Sequence, residues 1–205
     1  RVGEKPEDLS YERGAVKRCE TLHVACETVA LGADAAQEEL LQVIRDANTD
    51  ETVHGVLLFR PLPKHLDENL IRNALDPAKD VDGMTDGSAA AVFLGRETGF
   101  PPCTPAACMA IIAHYGIDLT GKNVVVIGRS QVVGKPLAML LLKENATVTI
   151  CHTRTADVPS AAREADILIA ASGQMESVGA EYLRQGQTVI DVGIGWNEEK
   201  QKLCG

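Results

Sequence analysis

At 205 residues, 45% of them hydrophobic, the chain has the apolar content to fill one large or two small cores. A formal net charge of −9 with no basic run argues against nucleic acid or an anionic membrane surface as partner. No apolar stretch approaches the ~20 residues that a bilayer-spanning helix needs.

Taken in order, Lys5-Pro-Glu-Asp-Leu reads as a loop leading to Ser10, an N-cap for a helix from Tyr11 to Glu20. Thr21 to Leu31 mixes Leu22, Val24, Val29 and Leu31 with small residues and predicts a strand. Ala35 to Ala47 carries Leu40, Leu41 and Ile44 at helical spacing with acids on the other face. Val53 to Phe59 predicts a short buried strand, which Arg60-Pro-Leu-Pro63 ends because two prolines cannot continue in a central strand. Asp67 caps a helix to Leu75. Lys79-Asp-Val-Asp-Gly83 then forms an acidic turn of solvated carboxylates, with Asp80 a turn acid. Residues 84 to 102 lack periodicity and contain Gly87, Gly95, Gly99, Pro101 and Pro102, which predicts a long functional loop. Thr104 as N-cap with Pro105 at the first helical position starts a helix that stops at Gly116. That helix reads as the hinge between two lobes, 1–116 and 117–205.

The second lobe opens on Asn123-Val-Val-Val-Ile127, the composition of a strand buried on both faces of a parallel sheet. A turn bracketed by Gly128 and Gly134 follows, then an apolar helical run to Asn145, then the strand Ala146 to His152. Strand, glycine turn and helix together hold a nucleotide pyrophosphate: glycines let backbone approach the phosphates, and the helix start offers free N–H groups. The pattern is not a strict Gly-x-Gly-x-x-Gly, since Ser130 stands at the second glycine. About twenty residues past the first glycine an NAD site usually shows an acid. Here Thr153 and Arg154 stand instead, and with Arg129 they can receive a 2′-phosphate, which favours NADP. Beyond lie a helix from Val158 to Ala165, the strand Asp166 to Ala171, a short helix over Tyr182 to Gln185 and the strand Thr188 to Gly193. The alternation is that of an α/β protein with a doubly wound parallel sheet. Six cysteines (19, 26, 103, 108, 151 and 204) show no C-x-x-C and read as reduced, mostly packed thiols of an intracellular protein. His152, which ends a strand beside the cofactor, reads as structural; the remaining histidines lack metal-ligand spacing, and no metal is expected. Arg1-Val-Gly and Leu203-Cys-Gly205 both read as cut ends, and no targeting segment is visible.

Seven short motifs stand in order and at consistent spacing: Pro61-Leu-Pro63, Lys79-Asp-Val-Asp-Gly83, Pro102-Cys-Thr-Pro105, Gly128-Arg-Ser130 with Val133-Gly-Lys-Pro136, Ala146-Thr-Val-Thr-Ile-Cys-His152, Ala165-Asp-Ile-Leu168 and Val189-Ile-Asp-Val-Gly193. Together they resemble the methylenetetrahydrofolate dehydrogenase/cyclohydrolase (FolD-type) family over essentially the whole chain. The resemblance implies two lobes across a cleft, a tetrahydrofolate one-carbon substrate beside the first and NADP on the Rossmann-type second. It also implies a cytoplasmic homodimer that serves purine biosynthesis. It further implies that segments are missing at both ends, the absent tail carrying a Pro-Gly-Gly-Val-Gly motif. Tyr11 would stack on or bond to the folate ring, with Pro61, Leu62 and Pro63 beside it. Asp82 would accept hydrogen bonds from the amino-pyrimidinone edge of the pterin, where two N–H donors lie side by side. Gly128, Arg129, Ser130, Val133, Gly134 and Pro136, with Thr153 and Arg154, would hold the cofactor.

Two positions depart from the family pattern. A lysine four residues after the tyrosine is replaced by Ala15, and a glutamine ahead of the Pro-Leu-Pro turn is replaced by Phe59. Lys17 is no substitute, because on a helix i+4 lies within about 40° of i whereas i+6 points about 120° away. Dehydrogenation takes hydride from a carbon between two nitrogens and moves no proton, so placement does most of the work. Adding water to the resulting cation requires a positioned proton carrier. The reading is therefore a dehydrogenase that has lost cyclohydrolase activity and depends on a separate enzyme, unless an ammonium from elsewhere in the chain reaches the pocket beside Tyr11. A bifunctional enzyme, another oxidoreductase on the same kind of lobe (a shikimate- or amino-acid-dehydrogenase relative) and a non-catalytic folate- or nucleotide-binding protein stay open as alternatives.

Overall fold

The computed structural model describes residues 1–204, the side chains of Trp196 and Leu203 excepted. It divides into two compact units, Arg1–Val81 and Asp82–Gly205.

In the first unit, helix α1 spans Pro6–Thr21. It begins ahead of the expected Ser10 cap, because Pro6 at N1 already has the helical φ and Glu7 and Asp8 complement the helix dipole in the first turn. Helix α2 (Gln37–Thr49) buries Leu40, Leu41 and Ile44, as their spacing requires. Helix α3 (Glu68–Ala74) is capped by Asp67, whose carboxylate accepts the Leu70 N–H at 3.1 Å. Two expected strands do not form. Residues 22–30 are exposed, and only Leu31 makes a bridge, to Val2. Val53 to Phe59 makes a single bridge as well, Val56 to Asp80, and buries Leu58 alone of its apolar residues. β-branched residues favour extended backbone, but a ladder needs neighbouring strands, and within this unit each segment finds one bridge. Asp80, expected as a solvated turn acid, is fully buried.

In the second unit, residues 84–102 are not one long loop, since Asp86–Leu94 forms helix α4. Thr85 caps it, with Oγ1 accepting the Ser88 N–H at 3.0 Å, and Gly95 closes it in the left-handed region at φ 65°. The glycines flank the alanine-rich run rather than interrupt it. Helix α5 covers Cys103–His114, so Thr104 lies in its first turn and Pro102 takes the cap position. Strand β1 (Asn123–Ile127) leads into helix α6 (Gly134–Lys143) and strand β2 (Thr147–Cys151). Helix α7 (Val158–Glu164), strand β3 (Ile167–Ala170) and strand β4 (Thr188–Asp191) follow. The helix expected over 182–185 is a single 3₁₀ turn at Ala180–Tyr182. A small antiparallel hairpin, β5 (Gly195–Asn197) with β6 (Lys202–Cys204), has no counterpart in the sequence reading. Both α4 and α5 pack on α6. They therefore belong to the second unit, and the division falls after Val81 rather than near residue 117.

The sheet is parallel throughout, in the order β2-β1-β3-β4. Because side chains alternate across a strand, Val124 and Val126 of β1 join Ile167 and Ile169 of β3 on the face that Leu137 and Leu141 of α6 cover. Val125, Ile127 and Leu168 point the other way, toward Ala162 of α7. The central strands are apolar on every buried position because both faces are covered. Leu168 is fully buried in the smaller of the two clusters. Leu168→Ala is expected to destabilise the protein by about 3 kcal/mol, read as a lower denaturant midpoint at unchanged slope.

All six cysteines are free. Only Cys108 and Cys151 are buried, which corrects the expectation of mostly packed thiols, and burial pushes both thiols up. Among the described residues no helix is long and apolar enough to cross a membrane, and no group of acids, histidines and cysteines could hold a metal.

Candidate active site

The first unit assembles its candidate site from α1 and the segment that ends at the proline turn. Tyr11 is 62% exposed, and its ring meets Phe59 edge to face, centroids 5.4 Å apart at 82°. Ala15 follows Tyr11 by one helical turn, on the same side of α1. Position 15 thus offers a methyl group and position 59 a phenyl ring, the latter packed on the tyrosine. Lys17 is exposed, as its position around the helix predicts. One ammonium does reach the proline turn: Lys5 Nζ donates to the Pro61 carbonyl at 2.6 Å. Glu68 braces the same turn by accepting the Leu62 N–H at 3.0 Å, and Leu62 is buried between the exposed Pro61 and half-buried Pro63.

In the second unit, Asp82 is half-buried and precedes Gly83, whose φ is +63°. A Cβ on Gly83 would meet Pro102 N at 2.5 Å and the Phe100 carbonyl at 2.7 Å. The acidic turn and the segment before α5 therefore touch backbone to backbone, which brings two of the sequence motifs together.

The turn from β1 to α6 is closed in the same way. A Cβ on Gly134 would lie 2.1 Å from the Gly128 carbonyl oxygen, and one on Gly128 (φ 128°) 2.2 Å from the Ala171 carbonyl oxygen. Ser130, at the position of the missing glycine, folds inward: its Oγ accepts the Val133 N–H at 3.0 Å and the Gly134 N–H at 3.4 Å. Val133 and Pro136 sit in the first turn region of α6, and Pro136 is buried. Register pairs Ile127 with Cys151, so Arg129 and the exposed Thr153 and Arg154 issue from neighbouring strand ends. A glycine-closed turn, a ten-residue helix opening on it and cations beside it suit a dinucleotide with a phosphorylated ribose.

Tetrahydrofolate dehydrogenase/cyclohydrolase profiles match in both units: the catalytic-domain profile matches residues 1–82 and the NAD(P)-binding-domain profile residues 102–205. The chain belongs to that family. The bifunctional protein FolD of Clostridioides difficile (strain 630) is 50% identical over 205 residues, all of this chain and 71% of its own length. The crystal structure of the bifunctional FolD of Campylobacter jejuni superposes with a TM-score of 0.93 at 38% identity, covering 98% of this chain and 71% of that one. The Trypanosoma brucei FolD, solved with NADP cofactor and an inhibitor, gives 0.87 at 31% identity, covering all of this chain and 71% of its own. As a tetrahydrofolate dehydrogenase/cyclohydrolase relative, the chain is an oxidoreductase.

Three features of the site were not read from the sequence. The Tyr11–Phe59 contact joins residues 48 apart, and no local signal announces it. The Lys5–Pro61 bond spans 56 residues and hides in what reads as a loop lysine. The hydrogen bonds His152 makes to the turn after β2 could have been suspected, because a histidine ending a strand can bond the backbone two residues on.

Proposed function

We propose that the protein oxidises 5,10-methylenetetrahydrofolate to 5,10-methenyltetrahydrofolate with NADP⁺ as hydride acceptor, and that it does not carry out the hydrolysis that completes the family's second reaction. Tyr11 and the Pro61–Pro63 turn form the wall for the folate ring, and the Asp82 carboxylate takes the paired N–H donors of the pterin. The Gly128–Gly134 turn holds the pyrophosphate, while Arg129, Thr153 and Arg154 receive the 2′-phosphate. When bound, the nicotinamide supplies the hydride acceptor. The methylene C–H bond breaks with its electron pair, and the cation left behind is shared between the two flanking nitrogens. No side chain has to move a proton in that step. The chain's task is placement, which the scaffold can supply without Lys or Gln.

The observation that carries the second half of the proposal is Phe59 packed edge-on against Tyr11, with Ala15 one turn along. Hydration of the methenyl cation places a water oxygen on its carbon, releases a proton and then breaks one carbon–nitrogen bond as that nitrogen is protonated. Neither a phenyl ring nor a methyl group can carry those protons. A separate hydrolase for the methenyl product follows from this reading.

Two assays on the enzyme test it. With methylenetetrahydrofolate, NADP⁺ is expected to be reduced with turnover, and binding without turnover would sink the dehydrogenase reading. With methenyltetrahydrofolate alone, loss of the substrate is expected at the spontaneous rate, equal to a heat-killed control. A bifunctional enzyme is the second reading, and Lys5 is the observation in its favour, since its ammonium already lies on the proline turn. Hydrolysis well above the control that disappears in Lys5→Met would assign the proton transfer to Lys5 and refute the loss.

A further inference from the structure

The turn that follows β2 is held by one residue in three ways. His152 donates its backbone N–H to Thr155 Oγ1 (3.0 Å), and its carbonyl accepts the Thr155 N–H (2.8 Å). Its imidazole Nδ1 accepts the Arg154 N–H at 3.1 Å. Nδ1 accepts only when it carries no proton, so the geometry selects the neutral ring protonated on Nε2. The Gly128 N–H donates to the Cys151 carbonyl at 2.8 Å, which ties the start of the glycine turn to the residue just before His152. Between the braced ends, Thr153 and Arg154 are exposed and His152 is half-buried. The two side chains offered to a ligand therefore hang on a short turn in which the imidazole supplies the bond to Arg154 itself.

We propose that His152 is the positioning residue of the 2′-phosphate site: its ring fixes the backbone of Arg154, so that Thr153 and Arg154 are presented together with Arg129 to a phosphate dianion. The role rests on the NADP reading above. His152 acts through Arg154 and does not itself contact the ligand. A turn held ready lowers the ordering cost of binding a phosphate, and a dinucleotide without that phosphate gains nothing from it. The effect of the imidazole is thus confined to NADP.

The test compares His152→Ala, His152→Asn and Arg154→Ala in the full-length enzyme. Calorimetry reads the binding of NADP⁺, NAD⁺, 2′,5′-ADP and ADP, kinetics read KM and kcat, and thermal unfolding checks that each variant is folded. His152→Ala is expected to weaken NADP⁺ and 2′,5′-ADP about three- to tenfold, the value of one hydrogen bond, while NAD⁺ and ADP hold their affinities. The change falls on KM for NADP⁺ and not on kcat. Asparagine can accept the same i+2 N–H through Oδ1, so His152→Asn is expected to recover most of the affinity. Equal losses for NADP⁺ and NAD⁺, or an asparagine variant as weak as the alanine one, overturn the positioning role. If Arg154→Ala weakens 2′,5′-ADP and His152→Ala does not, the role of His152 alone falls. If Arg154→Ala leaves 2′,5′-ADP untouched, the 2′-phosphate reading fails and takes the His152 role with it.

Discussion

An enzyme carrying Ala15→Lys together with Phe59→Gln is expected to hydrolyse methenyltetrahydrofolate on the order of 10²-fold faster than the unaltered protein, the lower end of what a positioned acid–base group contributes. Position 15 stands one helical turn from Tyr11, and half-buried Ala15 leaves a site from which a long side chain can extend toward the tyrosine. Lysine is a good helix former, so α1 tolerates it. Removing the Phe59 ring forfeits an edge-to-face contact of about 1 kcal/mol, which a folded domain can absorb. Ala15→Lys alone is expected to give less than the pair, because the ammonium would then face an apolar ring instead of an amide that orients it. Dehydrogenase turnover is expected to stay within a few-fold, since hydride transfer does not use these groups. The measurement is the absorbance decay of methenyltetrahydrofolate with each variant. A double variant that keeps dehydrogenase activity yet hydrolyses no faster than buffer would show that these two side chains are not what the site lacks.

The second large effect is expected from a single methyl group. Gly134→Ala should destabilise the protein by about 1–3 kcal/mol and weaken NADP⁺ binding at least tenfold. The added Cβ would stand 2.1 Å from the Gly128 carbonyl oxygen and 2.6 Å from its carbonyl carbon, both of them backbone. No rotamer relieves such a contact, so either α6 or the end of β1 must move. Moving them separates Ser130 Oγ from the N–H groups it accepts at the start of α6 and opens the turn proposed to hold the pyrophosphate. Gly121, at φ 71° but with nothing within 4 Å of its would-be Cβ, is the internal control: its alanine variant pays the left-handed backbone cost of about 1–2 kcal/mol and leaves cofactor affinity alone. Denaturant unfolding and NADP⁺ titration of the two variants separate the effects. Equal affinities would show that the close approach at Gly134 does not shape the cofactor turn.

The parts of this molecule that could be read in advance are those whose causes are local. Three consecutive valines and an isoleucine specify a strand covered on both faces, and the glycine turn and the apolar run after it specify β1-α6-β2 almost to the residue. Asp67 announces a helix that it caps through its own carboxylate. Where a neighbour decides, reading along the chain misled. Residues 21–31 and 53–59 have strand-like composition, yet each makes one bridge, because extended backbone becomes a strand only where another strand lies alongside. Residues 84–102 are punctuated by glycine and proline, yet Thr85 caps α4 within them. Asp80 has the look of a solvated turn acid and is fully buried.

The candidate site divides along the same line. Sequence alone determined the family motifs, the alanine and phenylalanine at positions 15 and 59 and the cations near the second strand, because each is a matter of residue type and spacing. Only the tertiary structure decided that Phe59 closes on Tyr11, that Lys5 reaches the proline turn and that His152 holds Arg154. Those are contacts, and two of the three join residues roughly fifty positions apart, where chain order carries no geometric information.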